Sequence, residues 1–394
     1  MIKTPLSGIT VVALEQAVAA PFATRQLADW GARVIKVERP GTGDFARHYD
    51  EAVHGLSSHF VWINRGKESL TLNLKSPEGL RVLAALLEKA DVLVQNLKPG
   101  ALEHLGLPVE TLRQRYPKLI VCSISGYGPD GPYRDRKAYD LLIQAESGLL
   151  SITGTQEAPA KVGLAVADVA AGMYALNGIL LALFERVSTG QGTVLDVSML
   201  EALGEWMGHP LNYGHFSGRS PARTGARHAT IAPYGPYRVA RGEEIFLAVQ
   251  NDREWQAFSR EVLEKPRLAA DPRFADNSGR LHHQESMNAE IDAVLSRMTA
   301  EEAMERLDQA QIAYARMNSL DQVWEHPQLR ARERFRPVAT EAGAIEAMLP
   351  PVNFREGEPA MGAVPALGAH TESILQELGW SDQQIQQLRS RGAI

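Results

Sequence analysis

Apolar positions in the first half of the chain follow two alternating patterns. Short continuous apolar runs cover residues 9–14, 34–37, 92–95 and 119–124. Between them, apolar residues three and four apart mark stretches 22–30, 79–89 and 112–116. Short apolar runs bounded by polar residues read as buried strands, and the helical period reads as helices with one packed face. The alternation predicts an α/β fold with a mostly parallel, doubly wound sheet. Ligands on such sheets bind outside the carboxyl ends of the strands, which draws attention to Glu38, Arg39, Asn96 and residues 123–126.

The longest helical pattern lies in GLAVADVAAGMYALNGILLALFERVSTGQGTVLDVSM, residues 163–199. Ala167, Ala170, Ala171 and Ala175 are followed by Leu176, Ile179, Leu180 and Leu183 at helical spacing. Thr189-Gly190-Gln191-Gly192 ends the pattern, and Val194-Leu195-Asp196-Val197 reads as a strand. Asp168 falls at or near the start of this helix. One reading makes it a helix cap, accepting a bond from the amide two or three residues on. The other uses the same setting: a helix N-terminus favours an ionised carboxylate, and an ionised carboxylate can act as a covalent nucleophile.

Beyond residue 200 the pattern changes. Residues 204–235 are rich in Gly, Pro, Tyr and His and read as a long linker or functional loop. Residues 236–325 read as a smaller α+β unit, with a hairpin signal at 237–249 around Arg241-Gly242-Glu243 and helices near 252–264, 284–298 and 300–310. A Pro-rich return over 327–365 leads to a last helix near 370–379.

Composition narrows the class. The chain has 394 residues, 44% apolar and 22% charged, enough for two or three domains of ordinary globular make-up. With a net charge of −6 and no long basic run, the sequence gives no sign of a nucleic-acid partner. No apolar stretch reads as an uninterrupted membrane span, and the start MIKTPLSG lacks a signal-peptide core, so a cytoplasmic location is expected. The single cysteine, Cys122, lies in an apolar run and reads as an inert core thiol. No GxxxxGK[ST] loop and no GxGxxG follow a strand, and the adjacent His282-His283 lack metal-ligand spacing, so no metal is expected.

Against these residues a resemblance becomes specific. The segment around Asp168, with Gly172 four residues on and the helix exit Arg186, Thr189, Gly190, Gly192, resembles the class III coenzyme A transferases. So do, in order, AAPFATRQLADWGARVIKVERPGTGD, NRGKESLTLNLKSPEG, NLKPGALEHLG, SISGYGPDGPY, KAYDLLIQAESGLLSITG and LGAHTESILQELGWS. The resemblance implies a Rossmann-like large domain built from both chain ends and a small domain between two linkers. The boundaries expected are 1–203, 204–235, 236–325 and 326–394. It also implies two subunits interlocked as a homodimer. It implies Asp168 as the acyl-carrying nucleophile and CoA thioesters as substrates, with no permanently bound cofactor and no membrane partner.

For coenzyme A, the resemblance points to Arg39 at a phosphate, Leu72 and Lys75 at the adenine, Asn96 near the pantetheine arm, Lys98 as the candidate to take over a second phosphate contact, and Lys137 and Tyr139 at the thioester. His104 stands where formyl-CoA transferases carry an arginine. A related racemase class uses a GHD histidine as base; here the triplet is Ala138-Tyr139-Asp140, and tyrosine is a poor base near neutral pH. Stretches GDFARHYD and RTGARHATIAPYG resemble the branch acting on four- and five-carbon dicarboxylic acids, such as mesaconyl-CoA C1–C4 and succinyl-CoA-dependent transferases. A distal carboxylate needs a cationic partner, for which Arg47, His48, Arg223, Arg227 and His228 are candidates. Residues 212–218 are the candidate for the family's active-site loop.

Overall fold

The structure, a computed structural model, describes residues 4–394. Six parallel strands form one sheet: β1 (Thr10–Leu14), β2 (Arg33–Glu38), β3 (Lys67–Thr71), β4 (Val92–Gln95), β5 (Ile120–Ser125) and β6 (Val194–Ser198). Their order is β3-β2-β1-β4-β5-β6, so the sheet runs outward both ways from the β1/β4 pair. That pair is the topological switch point of a doubly wound sheet, the usual place for a ligand crevice. Strand β3 was not foreseen, because Lys67, Glu68 and Ser69 break the apolar signal; Lys67 and Ser69 are nevertheless buried.

Alternate side chains of the strands feed two cores. Val11, Ala13, Val94 and Cys122 pack with helix α1 (Ala19–Asp29) and the long helix later in the chain. Val12, Leu14, Ile35 and Leu93 pack with helix α2 (Pro77–Leu87) and with the C-terminal helices Thr371–Glu377 and Asp382–Ser390. Each fully buried Val or Leu contributes roughly 1.5–3 kcal/mol relative to exposure, so both layers stabilise the sheet. The C-terminal segment is bonded to β3: His370 Nδ1 accepts the Ser69 N–H at 3.1 Å, and Thr371 Oγ1 accepts the Thr71 N–H at 3.0 Å. The last of these helices was not expected from the sequence.

Two more helices frame the site. Helix α3 (Asp140–Glu146) follows the long loop after β5, and α4 (Val166–Thr189) is the helix whose pattern dominates the sequence. Ala167, Ala170, Ala171, Ala175, Ile179 and Ala182 of α4 are buried. A Cβ at Gly172 would stand 2.6 Å from the Ala19 carbonyl oxygen, so glycine is what lets α1 and α4 approach this closely. Gly190 ends α4 in the left-handed region at φ 69°, and Arg186 ties that end to Asp91 at 2.8 Å. Contrary to the sequence expectation, α4 is by length and composition apolar enough to cross a membrane. Its alanine face lies in the core of the sheet unit.

The chain divides into two compact units. The sheet unit takes in residues 4–149, 162–209 and 329–394; the second comprises 150–161 and 210–328. Residues 150–161, expected with the large domain, thus belong to the second unit. In that unit strands Tyr234–Arg238, Glu244–Ala248 and Ala313–Arg316 form an antiparallel sheet that includes the expected hairpin. Trp255, Phe258 and Phe274 lie in its core. Residues 204–235 are not all loop: helices Met199–Trp206 and Gly208–Ser217 occupy their first half. The candidate active-site loop, 212–218, is therefore largely helical. The Pro-rich return carries a hairpin, Phe335–Thr340 with Gly343–Met348.

Candidate active site

The loop that follows β1 sits at the switch point and is held rigidly. Ala17 adopts φ 62°, a conformation that costs a residue with a Cβ, and Asp44 Oδ1 accepts its N–H at 3.1 Å. Asn96, at the end of β4, grips Gln16: its Oδ1 accepts the Gln16 N–H at 2.9 Å and its Nδ2 donates to the Gln16 carbonyl at 2.8 Å. The asparagine expected at the pantetheine arm thus carries a structural duty, bracing the β1 loop.

Beneath this loop lies a buried, charge-balanced quartet. Lys36 Nζ donates to Asp44 at 2.8 Å and to Glu15 at 3.3 Å; Lys67 Nζ donates to Glu15 at 2.6 Å. Burial raises the Glu15 carboxyl, but Lys67 and Lys36 outweigh it and hold the group below its usual value. Burial pulls the Lys67 ammonium down to about 7, against the attraction of Glu15. Such charges persist in a core only when paired and hydrogen-bonded, as these are. The quartet ties β1, β2 and β3 to one another.

Asp168 is the third residue of α4 and half-buried. It is not the helix cap. Ala165 holds that position without a side-chain bond, and the capping acceptor comes from another helix: Asp140 Oδ1 accepts the N–H of Ala167 at 2.7 Å and of Asp168 at 3.3 Å. The Asp168 carboxylate itself accepts no hydrogen bond and forms no ion pair among the described residues. Burial pushes its carboxyl up to about 7, and the neighbouring Asp140 carboxylate adds to the rise. Desolvation and a like charge thus work against the helix N-terminus, whose dipole favours the ionised form by about 0.3–1 kcal/mol. Tyr49, on the segment after β2, lies within electrostatic reach. Its hydroxyl is raised to about 12 by partial burial, then by Asp44, Asp168 and Tyr139. Tyr139, 67% exposed, precedes α3 directly.

Four expected coenzyme A contacts sit beyond strand carboxyl ends: Arg39 after β2, Lys75 after β3, Lys98 after β4 and Lys137 after β5. All four are exposed, and their side chains form no ion pair or hydrogen bond among the described residues. Leu72 is buried, with its N–H donating to the Glu38 carbonyl at 2.8 Å. A cavity of about 280 Å³ opens at the carboxyl ends of β2 and β3, lined by Pro40, Gly41, Thr71, Gly368, Thr371 and Arg389 among others.

The candidate carboxylate partners are placed differently from expectation. Arg47 donates to both oxygens of buried Glu38 at 2.8 Å, and its guanidinium lies 3.7 Å from the Phe60 ring centre. Arg223 donates to the carbonyls of Thr155, Ser151 and Gln156 at 2.8, 3.4 and 3.0 Å. Arg227 stacks over the Tyr237 ring at 4.7 Å, and His228 stacks on Tyr234 at 5.1 Å. Arg47 and Arg223 thus build structure, whereas Arg227 keeps a buried Nη1 without a hydrogen-bond partner among the described residues. His48 is exposed, with Nε2 3.2 Å from the Thr42 carbonyl. Arg47 and His48 belong to the sheet unit, Arg223, Arg227 and His228 to the second. Cys122 is fully buried, and burial pushes its thiol up to about 12, which makes it unreactive. No group of three His, Cys, Asp or Glu side chains suited to a metal occurs among the described residues.

Comparison with known proteins fits this geometry. Residues 6–371 match the model of CoA-transferase family III. Succinate–glutarate CoA-transferase of Agrobacterium fabrum is 34% identical, over 95% of this chain and 96% of that protein. Acetyl-CoA:oxalate CoA-transferase of Acetobacter aceti is 35% identical, over 84% of this chain and 85% of that protein. The crystal structure of a CAIB/BAIF family protein from Brucella suis superposes with a TM-score of 0.85 at 32% identity, covering 95% of this chain and all of that one (100%). The chain belongs to CoA-transferase family III, and it is a CoA transferase acting on CoA thioesters.

Proposed function

We propose that this enzyme moves coenzyme A between four- and five-carbon dicarboxylic acids, with Asp168 as the covalent carrier. The observation that carries the reading is Asp168 itself: a half-buried carboxylate at a helix start, relieved of capping by Asp140 and bonded to nothing. An Asp168 oxygen attacks the thioester carbonyl carbon, the C–S bond breaks, and CoA thiolate leaves a mixed anhydride. The thiolate attacks the Asp168 acyl carbon and expels the donor carboxylate, giving an aspartyl-CoA thioester. The acceptor carboxylate attacks that thioester, and the thiolate finally takes the acceptor acyl group, restoring the Asp168 carboxylate. Protons balance throughout, because carboxylate and thiolate are only exchanged. Affinity for a proton near 7 makes the carboxylate a stronger nucleophile than an ordinary aspartate while still available at neutral pH.

The exposed cations at Arg39, Lys75, Lys98 and Lys137 suit the phosphates and arm of coenzyme A, and the neighbouring cavity suits its nucleotide end. The dicarboxylate assignment rests on the sequence stretches around Arg47 and Arg227 and on the succinate–glutarate relative. The engagement of Arg47 and Arg223 and the acetyl-CoA:oxalate relative favour, as a second reading, an acid without a long distal arm. Turnover of succinyl-CoA with glutarate or mesaconate, against acetyl-CoA with oxalate, separates the two. A homodimer belongs to this proposal. Leu181, Phe184 and Val187 on α4 are 70%, 81% and 87% exposed, an apolar stripe at helical spacing that a second subunit would cover.

A further inference from the structure

We propose that Asp140 is a positioning residue for the transfer: it supplies the side-chain cap of α4 that Ala165, at the cap position, lacks, and so leaves the Asp168 carboxylate unbonded and free to react. This rests on Asp168 being the nucleophile. Three contacts hold Asp140 in place for the task. Its Oδ1 takes the two amides of the first turn of α4 at 2.7 and 3.3 Å, and its Oδ2 accepts from Gln144 Nε2 at 2.7 Å. Gln144, fully buried, in turn accepts the Val162 N–H at 3.0 Å through Oε1, which fixes the segment leading into α4. A helix start normally recruits its own first residues as cap. Here the bond is made from α3, and a carboxylate that could have capped the helix is left with no partner.

The charge of Asp140 has a second effect. It stands beside Asp168 and strengthens the hold of that group on its proton, after burial the largest cause. Other titratable groups on the elements packed against α4 are otherwise engaged or distant from its first turn. On α1, Arg25 and Asp29 pair at 2.6 Å. On α3, Glu146 faces Arg136 at 3.7 Å. Cys122 and Asp196 lie in β5 and β6, and Glu201 and Glu205 in the helix Met199–Trp206; none bonds the first turn of α4. Tyr49 stays protonated well above neutral pH.

Asp140→Asn keeps an acceptor for the two amides but removes the charge; Asp140→Ala removes both. With succinyl-CoA as donor, kcat/KM of the wild type should fall on the acid side near pH 7. In Asp140→Asn that limb should move down by about one pH unit or more. Asp140→Ala should also slow hydroxylamine trapping of the acylated Asp168 by about tenfold or more, since a displaced nucleophile loses alignment. A purely structural Asp140 would change the melting temperature in both variants and leave the pH limb in place. If the wild type gives the Asp168 adduct and the Asp140→Asn profile overlays it, the role of Asp140 falls while the transferase reading stands. If Asp140→Ala traps at the wild-type rate, the positioning role falls as well. If the wild type gives no adduct at Asp168, the reading beneath both is wrong.

Discussion

Arg47 holds Glu38 through two parallel bonds of 2.8 Å each, with the pair closed off from water under the Phe60 ring. Glu38 is 3% exposed, also accepts from Ser69 Oγ at 2.6 Å, and its carboxyl is held down to about 2 because Arg47 and Lys36 outweigh its burial. Arg47→Met therefore leaves a buried carboxylate without its partner, a loss of roughly 3–5 kcal/mol. The expected result is a large fall in melting temperature, with activity lost to a similar degree for every acyl-CoA. Selective loss of dicarboxyl substrates in a fully stable Arg47→Met enzyme would instead return Arg47 to the binding pocket.

The Glu38 pair also gives the fold an acid limit. A carboxyl whose folded value lies below its unfolded one stabilises above the unfolded value, and that support fades as pH falls. The contribution of Glu38 should hold from neutral pH to about 5 and decline between about 4 and 2 as it takes up a proton. Denaturant unfolding at a series of pH values checks this; unchanged stability at pH 3 would contradict it.

Asp168 works in the opposite sense. Its carboxyl sits near 7 when folded and near 4 when unfolded, so the folded state disfavours its charge, and the penalty grows as pH rises from about 4 to 7. Asp168→Asn should abolish transfer and at the same time stabilise the protein, by up to about 4 kcal/mol at pH 8 and by clearly less at pH 5. Equal stability of the two proteins at both pH values would show that Asp168 carries no such strain.

Gly172→Ala tests the seat of α4. The added methyl would meet the Ala19 carbonyl oxygen at 2.6 Å, and backbone cannot swing aside as a flexible side chain can. A cost of about 1–3 kcal/mol and a displaced first turn are expected, so kcat should fall more than KM rises. A variant with wild-type kcat would mean that α4 shifts without consequence.

Much of the fold could be read from the chain because its physics is local. The runs at 9–14, 92–95 and 119–124 became β1, β4 and β5, and the alanine stripe beginning at Ala167 became the buried face of α4. Strand β3 was hidden because two of its three buried side chains are Lys67 and Ser69, whose burial depends on Glu15 and Glu38 from distant segments. Lys36 in the middle of an apolar strand was the visible sign of that network. Asp168 was recognisable, but its cap was not. Asp140 lies 28 residues away in sequence, and only the tertiary packing of α3 on α4 brings the two together. The arginines misled for the same reason: a guanidinium beside a glycine-rich loop looks alike in sequence whether it grips a substrate or a row of backbone carbonyls, as Arg223 does.

The central claim is that Asp168 carries the acyl group and then coenzyme A. Incubation with succinyl-CoA without acceptor, followed by hydroxylamine and mass analysis of the peptide around residue 168, reads it directly. A hydroxamate on Asp168 is expected in the wild type, absent without the thioester and absent in Asp168→Asn. An unmodified Asp168 in an enzyme that turns over, or full transferase activity in Asp168→Asn, would contradict it.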